Sequence, residues 1–331
     1  MVFIAVQDQS QIAEARRRAA AVASDLGGNE AAVGNVSIIA TELATNIVRH
    51  ALSGEVLVQP WNDAEGSGIE ILALDKGRGM EDIAACFADG YSTAGTPGNG
   101  LGAIRRLASL VDVWSRPGMG TALLVRVRLR AGPGGGPPFI WSAVTQSAPG
   151  HEQCGDAWSV VYDRARANLL VVDGLGHGAA ASLAAQAAVR VFEDRALKDS
   201  PSGAIEAIHR GIASTRGAAA SIAALRADSD EMVYCGIGNI SGTVLSATGS
   251  RKTVSLAGTL GHTLSKTREF SYPMPPGAVL ILHSDGLLTS WSLDAYPGLL
   301  ARHPALIAGV MYRDFLRGRD DATVLVARRT A

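Results

Sequence analysis

The segment Ala131-Gly132-Pro133-Gly134-Gly135-Gly136-Pro137-Pro138 constrains the fold of this chain more than any other stretch. Consecutive glycines free the backbone, and proline removes both an amide donor and the freedom in φ, so neither helix nor sheet continues through it. An alternating strand pattern, Thr121 to Leu129, ends just before it, and a second strand-like run, Phe139 to Val144, starts just after. The reading is two domains, residues 1–130 and 139–331, joined by a linker at 131–138. At 331 residues in total, each half is long enough to bury a core of its own. No repeat at a solenoid period is visible.

The apolar fraction of 47% and a net charge of −1 place the chain among globular proteins. No basic block suggests a polyanion; Arg16-Arg17-Arg18 sits in an Ala-rich helical stretch and reads as a solvated face. Aromatics at 5% are too few and too scattered for a base-stacking platform, so no nucleic-acid partner is expected. There is no run of about 18 apolar residues and no basic region ahead of an apolar core. Neither a membrane span nor a signal peptide is therefore expected, and the expected compartment is the cytoplasm. Cys86, Cys154 and Cys235 form no CxxC pair and read as buried thiols in a reducing environment.

Periodicity predicts helices over 10–25 and 31–52 in the first half, then strands at Val56–Pro60 and Ile69–Leu74. A loop-rich stretch from Gly77 to Gly102 leads to a helix near 103–109 and strands at 111–115 and 121–129. In the second half strands are expected at 157–162, 168–172, 219–226, 231–236, 242–246, 278–283 and 322–328. Helices are expected at 179–196, 202–215 and 297–308. The fold class is α+β twice over: an α/β sandwich whose sheet is covered on one face by helices, then a β-sandwich flanked by helices.

In the first half, Glu42 and Asn46 stand at i, i+4 and so share one helix face. An Asn carbonyl is a hard oxygen ligand suited to Mg2+, and a Glu one turn away can take a proton from a hydroxyl. Alone, the pair reads as a solvated helix face, and the downstream elements change that reading. Downstream, the apolar run Ile71-Leu72-Ala73-Leu74 ends in Asp75, a carboxylate able to accept from an exocyclic amine such as that of adenine. Gly77 and Gly79 let the backbone turn beneath a flat base. Gly98-Asn99-Gly100-Leu101-Gly102 opens a helix, so free N–H groups and the helix dipole would face phosphates. No GxxxxGK[ST] loop is present.

In order and spacing these pieces resemble the GHKL (Bergerat-fold) ATPases and kinases, from about residue 30 to the closing Gly118-Met119-Gly120-Thr121. Glu42-Leu-Ala-Thr-Asn46-Ile-Val-Arg and Gly100-Leu-Gly102-Ala-Ile-Arg105-Arg106-Leu are most similar to the small serine kinases of bacterial partner-switching systems, the RsbT and RsbW type. The resemblance implies Glu42 as catalytic base, Asn46 as Mg2+ ligand and Asp75 as adenine partner. Gly77, Gly79, Gly98, Gly100, Leu101, Gly102 and Thr121 would complete the ATP pocket. His50 reads as structural; only about 30 residues precede the motif, too few for the phosphoacceptor helices of a sensor histidine kinase.

In the second half Asp156, Asp173, Asp285 and Asp320 each lie at or just beyond the end of an apolar strand, two of them followed directly by Gly. Carboxylates gathered at one edge repel and persist there only with cations. All-oxygen ligation favours Mg2+ or Mn2+, and two such ions can activate a bridging water. The series Gly155-Asp156, Asp173-Gly-Leu-Gly-His-Gly178, Arg216-Gly217, Gly236-Ile-Gly-Asn239, Ser284-Asp285-Gly286 and Asp320-Asp321-Ala-Thr-Val resembles the PPM-type serine/threonine phosphatases of the SpoIIE and RsbX branch. That resemblance implies Asp156, Asp173, Gly174 (through its carbonyl), Asp285 and Asp320 as ligands of two Mn2+ or Mg2+, with Asp321 as the alternative to Asp320. His177 reads as either a group behind the metal or a loop residue, His262 and His283 as structural, and Asn239 as a turn residue.

Together the two resemblances imply a regulator that phosphorylates and dephosphorylates a STAS-domain antagonist-type protein on Ser or Thr. The alternative is a phosphatase whose GHKL half senses ATP, or binds an anti-sigma or switch partner, without catalysis.

Overall fold

The computed structural model describes residues 1–87 and 100–330. The chain divides into two compact units, Met1–Gly135 with Tyr296–Arg313, and Gly136–Ala295 with Asp314–Ala331.

The first unit begins with β1 (Val2–Val6), α1 (Gln9–Asp25), α2 (Glu30–His50), β2 (Gly54–Asp63) and β3 (Gly66–Asp75). After a short α3 (Ile83–Cys86) come α4 (Gly100–Leu107), β4 (Leu110–Ser115) and β5 (Thr121–Ala131). The strands form one antiparallel sheet in the order β1-β2-β3-β5-β4. Asp8 starts α1 with a reciprocal capping box to Gln11, and Asn29 caps α2. Along α2 the stripe Val36, Ile39, Ala40, Leu43, Ala44 and Ile47 is buried and joins one core with Val56, Val58, Ile71 and Val125 of the sheet. This 21-residue helix is long and apolar enough to cross a membrane by length and composition. Its amphipathic packing makes it a core helix instead, with Thr41, Glu42, Thr45 and Asn46 on the other side. β1 escaped the periodicity reading because five residues carry too little alternation to assign.

The second unit contains β6 (Phe139–Gln146), β7 (Asp156–Tyr162), β8 (Arg166–Gly174), α5 (Ala179–Arg195), α6 (Pro201–Gly211), β9 (Ala218–Arg226) and β10 (Glu231–Ile237). There follow β11 (Ser241–Ser246), β12 (Gly249–Lys252), β13 (Phe270–Pro273), β14 (Val279–His283), α7 (Pro304–Phe315) and β15 (Ala322–Arg329). Two five-stranded sheets, β13-β10-β9-β8-β7 and β12-β11-β14-β15-β6, share an inner core that includes Leu169, Val171, Tyr234, Leu280, Leu282 and Leu325. The alternate residues of β8, Leu170 and Val172, face outward to Phe192 of α5 and Ile205 and Ile208 of α6. The sequence left β12 and β13 unassigned, since neither four-residue strand has a buried face to create alternation.

One helix departs from expectation. Residues 297–308 form a 3-10 turn at Leu299–Ala301 and then α7, because Pro304 fixes a helical φ at a first position and pushes the residue before it out of the helix. Through Arg313 this segment belongs to the first unit, although the linker places it in sequence with the second. Gly309 lies on Leu74 and Leu72; a Cβ there would stand 3.0 Å from Leu74 Cδ2 and 3.8 Å from Leu72 Cδ1. Thus α1 and α2 cover one face of the first sheet, and α7 packs on the other. Trp114 Nε1 donates to the Pro297 carbonyl at 3.2 Å, and Asp112 accepts the His303 amide at 2.8 Å. The rings of Tyr312 and Phe3 meet at 5.6 Å.

Candidate functional sites

In the first unit several of the residues expected to form the ATP pocket meet at the end of β3. Asp75 Oδ1 accepts the Gly77 amide at 2.7 Å and that of Thr121, its ladder partner on β5, at 3.2 Å. Burial raises the Asp75 carboxyl above its ordinary range, opposed by those two amides and by the Arg313 guanidinium. Arg313 Nη1 also donates to the Asp75 carbonyl at 2.6 Å. Gly79 has φ +74°, and a Cβ there would overlap the Arg116 carbonyl, so only glycine keeps this loop against the 116–120 turn. The loop is clipped further by Met80 N–H to Ser115 Oγ at 2.9 Å, and Ser115 Oγ meets Thr121 Oγ1 at 2.9 Å.

Glu42 and Asn46 lie half-buried on α2, one turn apart. The hydroxyls of Thr41 and Thr45 fold back on the carbonyls four residues earlier, each at 2.7 Å, which leaves the carboxylate and amide as this face's chemistry. Gly100 abuts the Glu42 carboxylate so closely that a Cβ would overlap it. Gly102 is buried, and Leu101 packs partly into the core. Gly98 lies outside the described residues. The structure therefore brings together Glu42 with Gly100, and Asp75 with Gly77 and Thr121.

In the second unit the register of β7 with β8 sets Asp156 directly opposite Asp173. Asp156 is only 4% exposed. Its Oδ2 accepts from Ser284 Oγ at 2.5 Å, and its Oδ1 is buried without a hydrogen-bond partner among the described residues. Burial first, then repulsion from Asp173, drives the Asp156 carboxyl well above its ordinary range. Asp173 is pushed to about 7, chiefly by burial and then by Asp285. The Asn239 amide donates to both Asp173 Oδ2 (3.1 Å) and Asp285 Oδ2 (2.8 Å).

Asp320 and Asp321 differ sharply. Asp321 is buried, its two oxygens accepting the amides of Ala148 (2.7 Å) and Gly155 (2.9 Å). Asp320 is exposed, takes the Asp321 amide on Oδ1 at 2.9 Å, and lies near enough to Asp173 to help raise it. Gly174 donates its amide to the Gly155 carbonyl at 3.0 Å, tying the ends of β7 and β8. The His177 ring packs on His151 at 4.5 Å, and His283 is buried between the Ser284 carbonyl and Trp291.

Among the described residues no three His, Cys, Asp or Glu side chains are arranged to hold an ion as they stand. The donor set nevertheless suits a hard divalent cation: an orphaned buried carboxylate oxygen, two carboxyls raised by burial and repulsion, and oxygen donors throughout. Sequence reasoning missed Asn239 and Ser284 as members of this edge. Both stand inside the quoted motifs, but neither carries the charge that singled out the aspartates.

Comparison with known proteins gives a family for each half of the chain. Residues 5–127 match the histidine kinase-like ATPase domain family, and residues 163–330, half of the chain, match the stage II sporulation protein E (SpoIIE) family. The chain belongs to both: it is a fusion of a GHKL-like kinase domain with a PPM/SpoIIE-like phosphatase domain, an arrangement typical of partner-switching regulators. It is similar to the serine/threonine-protein kinase RsbT of Bacillus subtilis (strain 168), with 31% identity over 120 residues, 36% of this chain and 90% of the relative. A solved structure from the bacterial stressosome, a modular system adapted to control secondary messenger signalling, is 26% identical with a TM-score of 0.54, covering 57% of this chain and 99% of its own. RsbX in complex with magnesium shares the fold at 23% identity and a TM-score of 0.50, covering 57% of this chain and 94% of its own.

Proposed function

We propose that this protein is a cytoplasmic partner-switching regulator acting in both directions on STAS-domain proteins. Its second domain removes phosphate from phosphoserine or phosphothreonine, and its first binds Mg2+·ATP and phosphorylates Ser or Thr. The phosphatase half rests on one observation, the buried Asp156 whose Oδ1 has no partner. Such an oxygen is stable only protonated or completed by a cation. Asp156, Asp173, the Gly174 carbonyl, Asp285 and Asp320 would hold two Mn2+ or Mg2+. When bound, the ions supply an activated water and neutralise charge on the phosphoryl oxygens. Ser284 fixes the Asp156 carboxylate, Asn239 orients Asp173 and Asp285, and Asp321 is committed to two backbone amides and holds the loop beneath them.

In the kinase half Glu42 would take the proton of the acceptor hydroxyl, Asn46 would hold Mg2+, and Asp75, anchored through one oxygen, would accept from the adenine amine. Mn2+-dependent phosphate release from a phosphoserine STAS protein, measured with and without ATP, tests the first activity. Release by the wild type and none by a folded Asp173→Asn is expected; no release with either metal refutes the assignment. Transfer from ATP to the unphosphorylated protein, lost in Glu42→Ala while ATP still binds, tests the second.

A second reading has its own support. Segment 296–313 lies between Asp285 and Asp320 in the chain, yet Arg313 bonds the carbonyl of Asp75. That link favours an ATP-sensing first domain that controls the phosphatase in cis. Phosphate release altered by ATP, with no transfer to any supplied acceptor, would select it.

A further inference from the structure

Beside the acidic edge of the second unit lies a cavity of about 320 Å3, walled by the start of β11, the end of β12 and the segment after β14. Asn239, Thr243, Lys252, His283 and Trp291 line it, and no carboxylate is among its lining residues. Its back wall is hydrogen-bonded within itself: Trp291 Nε1 donates to His283 Nε2 at 3.0 Å, and His283 Nδ1 meets the Ser284 carbonyl at 2.8 Å. Ser255, also in the lining, is held by Tyr234 at 2.9 Å and donates to the Ile240 carbonyl at 3.1 Å. The rim carries the exposed Lys252 as its cation. Nothing in the proposed phosphoryl chemistry uses this space.

Its position defines what it can take. Asn239 is shared: it lines the cavity, and its amide contacts both Asp173 and Asp285. A phosphoryl group at that edge and a side chain in the cavity would therefore stand on either side of one asparagine. An extended peptide advances about 3.3 Å per residue, so the side chain must come from within about two residues of the phosphorylated one. Lys252 is the one Lys or Arg among the lining residues, and Arg317 also acts on the lining His283. The nearest acidic groups, Asp173 and Asp285, are bonded to Asn239 at the edge. A polar cleft of this kind suits a short hydrogen-bond acceptor of negative charge.

We infer that this cavity is the subsite for a residue flanking the phosphorylated serine or threonine, and that Lys252 selects an acidic side chain there. This rests on the phosphatase reading of the acidic edge. An exposed ion pair of this kind changes affinity by a small factor, so the preference should be about two- to fivefold in kcat/KM, carried by KM. It should weaken as salt rises.

The test uses the full chain with Mn2+ and two kinds of substrate. One is p-nitrophenyl phosphate, too small to reach the cavity; the other is a set of phosphoserine peptides with Asp, Ala or Lys at each of the two positions before and after the phosphoserine. The wild type should favour Asp at one of these positions, Lys252→Glu should reverse that preference, and Lys252→Arg should keep it. Turnover of p-nitrophenyl phosphate should be the same in all three, since Lys252 is exposed on an edge strand and touches no proposed metal ligand. Equal rates for all peptides, or a preference untouched by Lys252→Glu, overturns the subsite while p-nitrophenyl phosphate turnover leaves the phosphatase intact. Loss of p-nitrophenyl phosphate turnover in the wild type overturns the phosphatase reading, and the subsite with it.

Discussion

Asp320 and Asp321 are neighbours of the same chemistry that should fail in opposite ways. Asp321 is 3% exposed, and its carboxylate is the acceptor for two buried amides, Ala148 and Gly155. Asp321→Ala strands both donors. A buried donor without a partner costs about 1–3 kcal/mol, so two should cost about 2–6 kcal/mol. Asp321→Asn keeps one acceptor and turns an NH2 toward the other amide, so its loss should be about half as large. Asp320→Ala removes an exposed carboxylate and should leave stability near the wild type while weakening Mn2+ binding. Because a two-domain chain need not unfold in one step, the second unit must be followed by itself. Hydrogen exchange of β7 and β15 peptides across a urea series reads its stability, and calorimetric Mn2+ titration reads binding. An Asp321→Ala protein as stable as the wild type would refute the structural role. A folded Asp321→Asn that loses Mn2+ while Asp320→Ala retains it would reverse the ligand assignment.

The carboxyls of Asp156 and Asp173 are raised in the folded state, Asp173 to about 7, so the native protein binds their protons more tightly than the unfolded chain does. The Asp173 contribution to metal-free stability is therefore greatest below about pH 4 and is lost as pH rises toward about 7, with that of Asp156 changing in the same direction. The gain in Tm on adding Mn2+ should grow across that window; a gain independent of pH would count against it. Gly79→Ala forces a side chain into left-handed backbone and onto the Arg116 carbonyl, a strain of about 1–3 kcal/mol. ATP affinity should fall about tenfold or more by equilibrium dialysis, and unchanged binding would mean that the 77–80 loop does not shape the pocket. Residues 1–135 expressed alone lack α7 and should expose Leu72 and Leu74, whose burial is worth about 1.5–3 kcal/mol each. That fragment should aggregate or melt early, and fusing residues 296–313 to it should restore a cooperative melt; a stable bare fragment would show that α7 is dispensable.

Most of what was legible in the chain was local. The Gly/Pro segment at 131–138 holds one crossing between the units, after Gly135, since the backbone consequences of Gly and Pro need no partner; the return of 296–313 to the first unit carries no such mark. The helices at Gln9–Asp25 and Glu30–His50 and the strands ending at Asp75 and Asp173 follow from period and capping residues. So does the sharing of one helix face by Glu42 and Asn46. Contacts over long separations were not legible. Nothing near Asp320-Asp321 says which carboxylate turns inward, because consecutive residues face opposite ways and only the approach of Ala148 and Gly155 decides it. Asn239 carries no charge to draw attention, and it enters the acidic edge only when β8, β10 and β14 bring Asp173 and Asp285 to either side of it. The extreme case is α7, buried from Pro304 to Tyr312 on every side. A helix apolar all round has no preferred face, so its sequence names no partner, and only folding assigns it to the strand that ends in Asp75.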